Sequence, residues 1–184
     1  MRKIIVSEFV TLDGVMESPE KWQFPYYSDD IAEVIKAQIL ASDAMLLGRV
    51  TYEVFAAYWP SQSNNEFGIA DKLNSVPKFV VSSTLQKAEW NNSTLIKGNV
   101  AEEISKLKQQ PGGNIGITGS ATLVQSLMQA DLIDEHRLMV HPVVLGSGKR
   151  LFRDGGNALQ LKLFNIQTFS KGVVLLCYKK AERK

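Results

Sequence analysis

The feature that most constrains the fold of this 184-residue chain is a junction that occurs three times. Each time, a short apolar run typical of a buried strand stops at glycine or at hydroxyl side chains, namely at Gly48, Ser82 and Gly119. After Gly48 and Gly119, apolar residues recur at helical spacing. Strands that alternate with helices predict an α/β protein with a mostly parallel central sheet, in which ligands bind at the carboxyl ends of the strands.

The first junction predicts a site for an anion. The apolar run 44–47 stops at Gly48-Arg49, and Thr51 lies in the first turn of the helix that follows. Unpaired N–H groups and the dipole at a helix N-terminus attract an anion, which the Thr51 hydroxyl and the Arg49 guanidinium could also hold. A phosphate-bearing cofactor is the expected ligand. The alternative is that Gly48 only permits a tight turn and that Arg49 is a solvated surface charge.

The second and third junctions predict the same ligand. Ser82 and Ser83 end an apolar strand, where hydroxyls could donate to a phosphate, although an ordinary Ser/Thr turn would use the same residues. Gly119 has no side chain and would let a pyrophosphate approach the backbone, and Ser120 or Thr122 could add a hydroxyl beside the helix dipole. Three junctions of one kind are stronger evidence than any one alone.

The first strand-like run leads to a candidate for substrate binding. Residues 3–9 are mostly β-branched and apolar, and they precede the turn signal Asp13-Gly14. Asp13 therefore follows the carboxyl end of a strand, where it could hold a polar group of a substrate. Alternatively, Asp13 caps its own turn through an Asx interaction.

Aromatic side chains are the remaining candidates for the substrate pocket. Residues 17–27 form a loop that is rich in aromatics and has no clear period. Beside Asp13, this loop could form the wall of a pocket for a flat heterocycle by stacking, or its aromatics could simply pin it to the core. The aromatic residues expected to contact substrate are Trp22, Tyr52 and Trp59.

The last third of the chain has a different pattern. Three long strand-like runs follow one another with no helix between them: 133–145, 159–168 and 173–179. They predict strands that close one edge of the sheet and are partly antiparallel. His136 and His141 are five residues apart on a strand and would face opposite sides, so no metal site is predicted.

The composition of the chain further limits the class of protein to which it can belong. With 45% hydrophobic and 22% charged residues and no run of eighteen apolar residues, residues 1–184 are expected to form one soluble globular domain. A net charge of +2 without a basic cluster argues against nucleic acid as a partner. A strand-like start that reaches Glu8 before any signal-peptide core predicts a cytoplasmic location. The lone Cys177 excludes an internal disulfide.

Over nearly its full length, the chain resembles the dihydrofolate-reductase-like superfamily. Within it, the chain is most similar to stand-alone relatives of the reductase domain at the C-terminus of the bifunctional riboflavin-biosynthesis deaminase/reductase. The segment Pro142 to Gly148 and Leu151-Phe152 match the riboflavin branch more closely than the folate branch. The other motifs that carry the resemblance are Thr11-Leu12-Asp13-Gly14, Asp43 to Thr51, Pro77 to Ser83, Gly119 to Leu123 and Leu132 to Glu135.

The resemblance implies a three-layer α/β/α fold and a homodimer that pairs through the late strands. It implies hydride transfer from NADPH to an electron-poor carbon of a flat heterocycle or ribosylaminopyrimidine. Asp13 would face the substrate, and the proton would come from Asp13 or from a bound water. The implied cofactor-binding residues are Gly48, Arg49, Thr51, Ser82, Ser83, Gly119, Ser120, Ala121, Thr122 and Leu123.

One departure from the family pattern bears on the substrate. Members often have an arginine in the helix before Asp43-Ala44 that binds the ribose phosphate, and here Lys36 is the only possible replacement. This departure concerns the riboflavin-pathway substrate and leaves the implied cofactor site intact. Two alternatives therefore stay open. One is a reductase for dihydrofolate or another pteridine, and the other is a module that binds a nucleotide or pterin without turnover.

Overall fold

Eight strands form one sheet in a computed structural model that describes residues 1–62, 64–156 and 158–181. The strands are β1 (Ile4–Thr11), β2 (Ser42–Gly48), β3 (Lys78–Val81), β4 (Ser93–Ile96), β5 (Asn114–Ile117), β6 (Glu135–His141), β7 (Leu161–Thr168) and β8 (Val174–Lys180). The α-helices are α1 (Asp29–Leu40), α2 (Arg49–Tyr58), α3 (Ala70–Ser75), α4 (Val100–Gln109) and α5 (Ala121–Gln129). None of these described helices is long and apolar enough to span a membrane.

The strands lie in the order β4-β3-β2-β5-β1-β6-β8-β7. Neighbouring strands from β4 to β6 are parallel, whereas β8 is antiparallel to both β6 and β7. The predicted α/β class, with a mostly parallel sheet and antiparallel C-terminal strands, is therefore confirmed.

Helices cover both faces of this sheet. Consecutive residues of a strand point to opposite faces, and β2 shows the division. Ala44 and Leu46 pack in a cluster with apolar residues of α4 and α5, whereas Met45 and Leu47 pack with α2 and with Leu73 of α3. On that second face, α1 packs against the late strands, where Cys177 is buried. The sheet thus lies between two helical layers, as a three-layer α/β/α fold requires.

The first of the late strands is shorter than the sequence predicted. β6 ends at His141, although the apolar run continues to Leu145. Pro142 has no N–H to give to the ladder, and the Val143 N–H turns back to the His141 carbonyl at 2.8 Å. The Val143 carbonyl then accepts the Leu12 N–H at 2.9 Å. The prediction of a strand to Leu145 is wrong, and this segment instead lies beside the Asp13 turn.

Lys78 anchors the start of β3, the strand that leads to Ser82. Its side chain is fully buried, and its Nζ donates to the carbonyls of Asn74, Val76 and Asn91 at 3.3, 2.8 and 2.9 Å. Burial lowers the pKa of Lys78 to about 8. Because one buried ammonium group binds three backbone carbonyl groups, β3 is held firmly at its N-terminal end.

Candidate active site at the carboxyl edge of the sheet

The three junctions meet at the carboxyl edge of the parallel strands. Gly48 at the end of β2 pairs with Val81 of β3, so Ser82 follows directly on that side. On the side of β5, a Cβ built on Gly48 would lie 2.4 Å from Ser120 Oγ, and a Cβ built on Gly119 would lie 2.5 Å from Thr51 Oγ1. The two glycine junctions are therefore in direct contact.

The strand order makes this contact the place where an α/β sheet is expected to have a ligand-binding crevice. The chain leaves β2 through α2 toward β3 on one side, and it leaves β5 through α5 and reaches β6 on the other side. Neighbouring strands whose connections run in opposite directions form a topological switch point, where ligands of α/β proteins bind. Because α2 and α5 pack on opposite faces, their N-termini flank this crevice from both sides.

The two helix N-termini differ in how they are capped. Gly48 is the N-cap of α2 and provides no side chain to its first turn. Ser120 is the N-cap of α5, and its hydroxyl accepts the Leu123 N–H at 3.5 Å. The first turn of α2 therefore keeps N–H groups that no side chain caps and that an anion could use.

Arg49 is the first residue of α2, and its side chain is held by a neighbour on the same helix. One guanidinium nitrogen contacts both carboxylate oxygens of Glu53, at 3.1 and 2.8 Å, and the two side chains are 44% and 45% exposed. An exposed pair of this kind stabilises a helix by only about 0.3–0.5 kcal/mol. Arg49 can therefore exchange Glu53 for a phosphate at little cost.

The hydroxyl groups after β3 are only partly free. Ser82 Oγ accepts the N–H groups of Thr84 and Leu85 at 3.2 and 2.9 Å, so the Ser/Thr turn considered as an alternative does form. Ser83 is exposed, and so is Thr122 in the first turn of α5. The side chains of Ala121 and Leu123 are buried. At these last two positions only the backbone could contact a ligand.

Glu8 is a residue of this edge that the sequence analysis missed. It lies in β1 on the face that carries the core residues Val6 and Val10, and it is 7% exposed. Its Oε1 accepts the Gly119 N–H at 2.7 Å. Burial raises the pKa of Glu8 to about 8, although the bond from Gly119 acts in the opposite direction. The signal was present in the sequence, because Glu8 interrupts the alternating apolar series of Ile4, Val6 and Val10.

Asp13 joins the end of β1 to the segment after β6. Its Oδ1 accepts the Thr11 hydroxyl at 2.6 Å, its Oδ2 accepts the Gly146 N–H at 2.8 Å, and Arg150 Nη2 lies 3.9 Å from Oδ2. These hydrogen bonds, that from Thr11 above all, lower the pKa of Asp13 to about 2. Asp13 therefore stabilises its own turn, and at neutral pH it is a carboxylate that can accept hydrogen bonds but has no proton to donate.

The three aromatic residues expected at the substrate lie in two separate places. Trp22 is 7% exposed and packs edge-on against His141, with ring centroids 5.1 Å apart. Tyr52 is also buried, its hydroxyl accepts the Trp90 N–H at 2.9 Å, and it shares a cluster with Trp59. Since β5 and β1 separate β6 from β2, only Trp22 lies on the side of the sheet where Asp13 is found.

A separate groove of about 710 Å³ lies between α2 and residues 87–91. Tyr52, Glu53 and Trp90 contribute to its lining, but none of the expected cofactor-binding residues does. This groove is therefore distinct from the crevice at the switch point. Within the described ranges, no group of three or more histidine, cysteine or acidic residues could hold a metal ion.

Solved structures that share this architecture define its class. The chain aligns with a Shewanella sp. PV-4 protein provisionally assigned to riboflavin biosynthesis, with a TM-score of 0.79, 20% identity and coverage of 98% of this chain and 99% of the other. It aligns with RibD from Acinetobacter baumannii with a TM-score of 0.65 and 17% identity, over 99% of this chain and 59% of the other. It also aligns with dihydrofolate reductase from Enterococcus faecalis complexed with NADP(H). Here the TM-score is 0.65 and the identity 14%, over 98% of this chain and 97% of the other. The fold is dihydrofolate-reductase-like.

The family follows from the sequence match. The family described as the RibD C-terminal domain matches residues 2–175. Two uncharacterized proteins of Bacillus subtilis (strain 168), YyaP and YwjB, are each 35% identical to this chain over 179 and 184 residues. These matches cover 96% and 95% of this chain and 94% and 96% of those proteins. The chain belongs to the RibD C-terminal domain family, which confirms the resemblance found in its motifs.

The contact between the two glycine junctions can be tested by substitution. Gly48→Ala should lower the free energy of unfolding by about 1–3 kcal/mol, because a Cβ there would overlap the Ser120 hydroxyl. The backbone at Gly48, with φ −75° and ψ 160°, suits any residue, so the overlap alone causes the loss. Urea denaturation at constant m-value measures the change.

The matched control is the double variant Gly48→Ala with Ser120→Gly, which removes the overlapping side chain. It should recover most of the lost stability, since a glycine N-cap in place of serine costs only a few tenths of a kcal/mol, roughly. A double variant as unstable as Gly48→Ala alone would show that the two junctions do not touch in this way.

Proposed function

We propose that this protein is an NADPH-dependent reductase of the riboflavin-biosynthesis type, which transfers a hydride to an electron-poor carbon of a small heterocycle. The observation that carries the proposal is the contact of the Gly48 and Gly119 junctions, which sets two helix N-termini around one crevice. Membership of the RibD C-terminal domain family supports reductase chemistry. The dihydrofolate reductase of the same fold that is complexed with NADP(H) supports a nicotinamide cofactor.

In this proposal, the phosphates of NADPH bind at the N-termini of α2 and α5. The uncapped first turn of α2 supplies backbone N–H groups, and the hydroxyls of Thr51, Ser83 and Thr122 are at least partly exposed to a ligand. Arg49 turns from Glu53 to the 2′-phosphate, where its planar fork suits a phosphate better than an ammonium would. The bound cofactor supplies the hydride, and the crevice orients it and excludes water.

The substrate would bind beside the Asp13 turn, near Trp22. An ionised Asp13 accepts a hydrogen bond from an N–H of the heterocycle and so orients the ring, while a bound water supplies the proton that accompanies the hydride. Lys36 is the only basic residue of α1. Since the usual ribose-phosphate arginine is missing there, a pteridine is the second candidate substrate class beside the ribosylaminopyrimidine.

The direct test is a screen of heterocycles for NADPH oxidation by the purified protein. A reductase gives a loss of absorbance from the reduced nicotinamide that depends on both the protein and the heterocycle. A nucleotide- or pterin-binding module would bind NADPH in a calorimetric titration and show no such loss. Absence of binding for both NADPH and NADH would contradict the proposal outright.

We also propose that two copies of the chain pair through the late strands. β7 is the outermost strand on its side of the sheet, and its residues from 162 to 168 are all exposed. Leu163, Phe164 and Ile166 are 45%, 47% and 56% exposed. A long edge strand with exposed apolar side chains is a surface that proteins cover.

Two further expectations stay predictions. They are a cytoplasmic location and a single domain over residues 1–184. Residues 63, 157 and 182–184 of that range lie outside the described residues.

The role given to Arg49 predicts a change in cofactor selectivity. Arg49→Ala should weaken NADPH binding by roughly tenfold to more than a hundredfold, about 1.5–3 kcal/mol, because a charge-assisted bond to the 2′-phosphate is lost. NADH has no such phosphate, so its affinity should hardly change. Fluorescence titration with each cofactor measures both dissociation constants. Equal losses for NADPH and NADH would exclude this role for Arg49.

Glu53→Gln serves as the control for that experiment. It releases Arg49 from its ion pair and leaves the guanidinium in place. NADPH affinity should then stay the same or rise slightly, since the exposed pair is worth less than about 1 kcal/mol. A large loss in Glu53→Gln would mean that the pair itself, and not the free guanidinium, supports the site.

The proposed dimer predicts that a charged residue at position 166 of β7 will lower the sedimenting mass from that of a dimer to that of a monomer. Ile166→Lys places a charge on the exposed face of β7 and should shift the protein from dimer to monomer in sedimentation experiments at micromolar concentration. Ile166→Val keeps the apolar surface and should remain a dimer. Because Ile166 is half exposed in one chain, neither change should unfold the protein. A wild-type protein that sediments as a monomer would refute the pairing.

A further inference from the structure

Glu8 is a buried carboxyl group for which the proposed reaction has so far no use. It lies on the core face of β1 and is 7% exposed, where an apolar residue would be usual. Its one described hydrogen bond is that from the Gly119 N–H to Oε1, at 2.7 Å. A carboxyl group kept in such a position is costly to ionise.

The bond from Gly119 places Glu8 directly behind the proposed phosphate site. Gly119 touches Thr51 of α2 on its other side, and Ser120, the next residue, touches Gly48. Glu8 therefore holds the segment through which the N-termini of α2 and α5 meet. A negative charge on Glu8 would therefore repel the negatively charged phosphates of a cofactor bound in this crevice.

Charged groups around Glu8 do not offset such a charge. β5 and α5 contain no ionisable residue. On α2, Arg49 is bonded to Glu53 at the surface, and on α4, Lys108 is bonded to Asp134. Burial and the bond from Gly119 alone shift the pKa of Glu8, and their balance raises it to about 8.

Strand β6 completes the surroundings of Glu8 without adding a charge. Leu138 lies opposite Glu8 in the register of the two strands. His136 lies two residues away on the same face, and burial followed by the charge of Lys180 lowers its pKa to about 4. His136 is therefore neutral whenever Glu8 titrates.

We propose that Glu8 must carry a proton for the dinucleotide phosphates to bind, so that cofactor binding is coupled to the uptake of a proton from solvent. This inference rests on the proposed function. A neutral carboxyl still accepts the Gly119 N–H through its carbonyl oxygen and keeps the segment in place. An ionised Glu8 carboxylate, itself buried and poorly solvated, would add a negative charge close behind the phosphates and repel them. Glu8 is thus a positioning residue, and its proton removes a negative charge that would repel a bound anion.

The first test is the pH dependence of NADPH affinity between pH 7 and pH 9. Wild-type affinity should fall with rising pH, approaching tenfold per pH unit, roughly, once Glu8 ionises in the free protein. Glu8→Gln keeps a neutral acceptor for Gly119 and should show almost no such fall. The ligand does not change charge in this range, because a phosphate monoester titrates at about pH 6. Lys78 titrates near pH 8 but is present in both proteins, so the difference between them belongs to Glu8.

A second measurement, made without cofactor, checks whether Glu8 is protonated in the folded protein, and its result is then compared with the NADPH affinities of the first test. Since folding raises the pKa of Glu8 from 4.5 to about 8, the native state binds more protons than the unfolded state between these values. The thermal stability of the wild type should therefore fall, relative to Glu8→Gln, as the pH rises from 5 to 8. A difference in stability combined with a flat NADPH affinity in the wild type would overturn the coupling and leave the reductase intact.

A third measurement uses the wild-type protein alone, in case Glu8→Gln does not fold. Calorimetric titration of NADPH at pH 8, in two buffers with different enthalpies of ionisation, counts the protons taken up. About half a proton or more per NADPH is expected. Binding without proton uptake refutes the coupling. No binding at any pH refutes both the coupling and the proposed function, so the two failures are distinguishable.

Discussion

The contact between the ends of β2 and β5 is the interaction on which the rest of the structure depends. Gly48 has an ordinary backbone conformation and is required because Ser120 fills the space beside it. Gly119 is required twice over, since its φ of +65° favours glycine and Thr51 fills the space beside it. Only because both positions lack a side chain can helices on opposite faces of the sheet bring their N-termini to one crevice. The site therefore comes from close packing of backbone and has few dedicated side chains.

Two carboxyl groups at this edge have opposite properties, and their surroundings explain both. Glu8 is buried among apolar side chains, which raises its pKa to about 8. Asp13 accepts a hydroxyl and two backbone N–H groups, which lowers its pKa to about 2. Groups that titrate so far apart can take different tasks in one site. Glu8 can carry a proton at neutral pH, whereas Asp13 keeps a fixed negative charge at its turn.

The C-terminal part of the chain holds the Asp13 turn from a distance in sequence. The segment after β6 meets the Asp13 turn through the bond from Leu12 to Val143, the bond from Gly146 to Asp13, and a bond of 2.9 Å from Arg150 Nε to the Asp13 carbonyl. Glycine suits position 146 because its φ of +76° lies in the left-handed region, and in this conformation its N–H donates to the Asp13 carboxylate. The parallel half of the sheet thus carries the glycine junctions, and the segment after β6 fixes the Asp13 turn.

The sequence by itself determined the class of fold, the succession of strands and helices along the chain, and the three junctions. These features depend on local signals, namely apolar periodicity and glycine. It also identified the family through motifs at those same junctions. Only the tertiary structure decided which hydroxyls are free, that Ser82 is used by its own turn, that Trp22 lies apart from Tyr52 and Trp59, and that Glu8 faces Gly119. These facts depend on contacts between residues far apart in the chain, such as the 111 positions that separate Glu8 from Gly119. Burial and hydrogen bonding set the charge of a carboxyl group, and both arise only when the strands pack side by side.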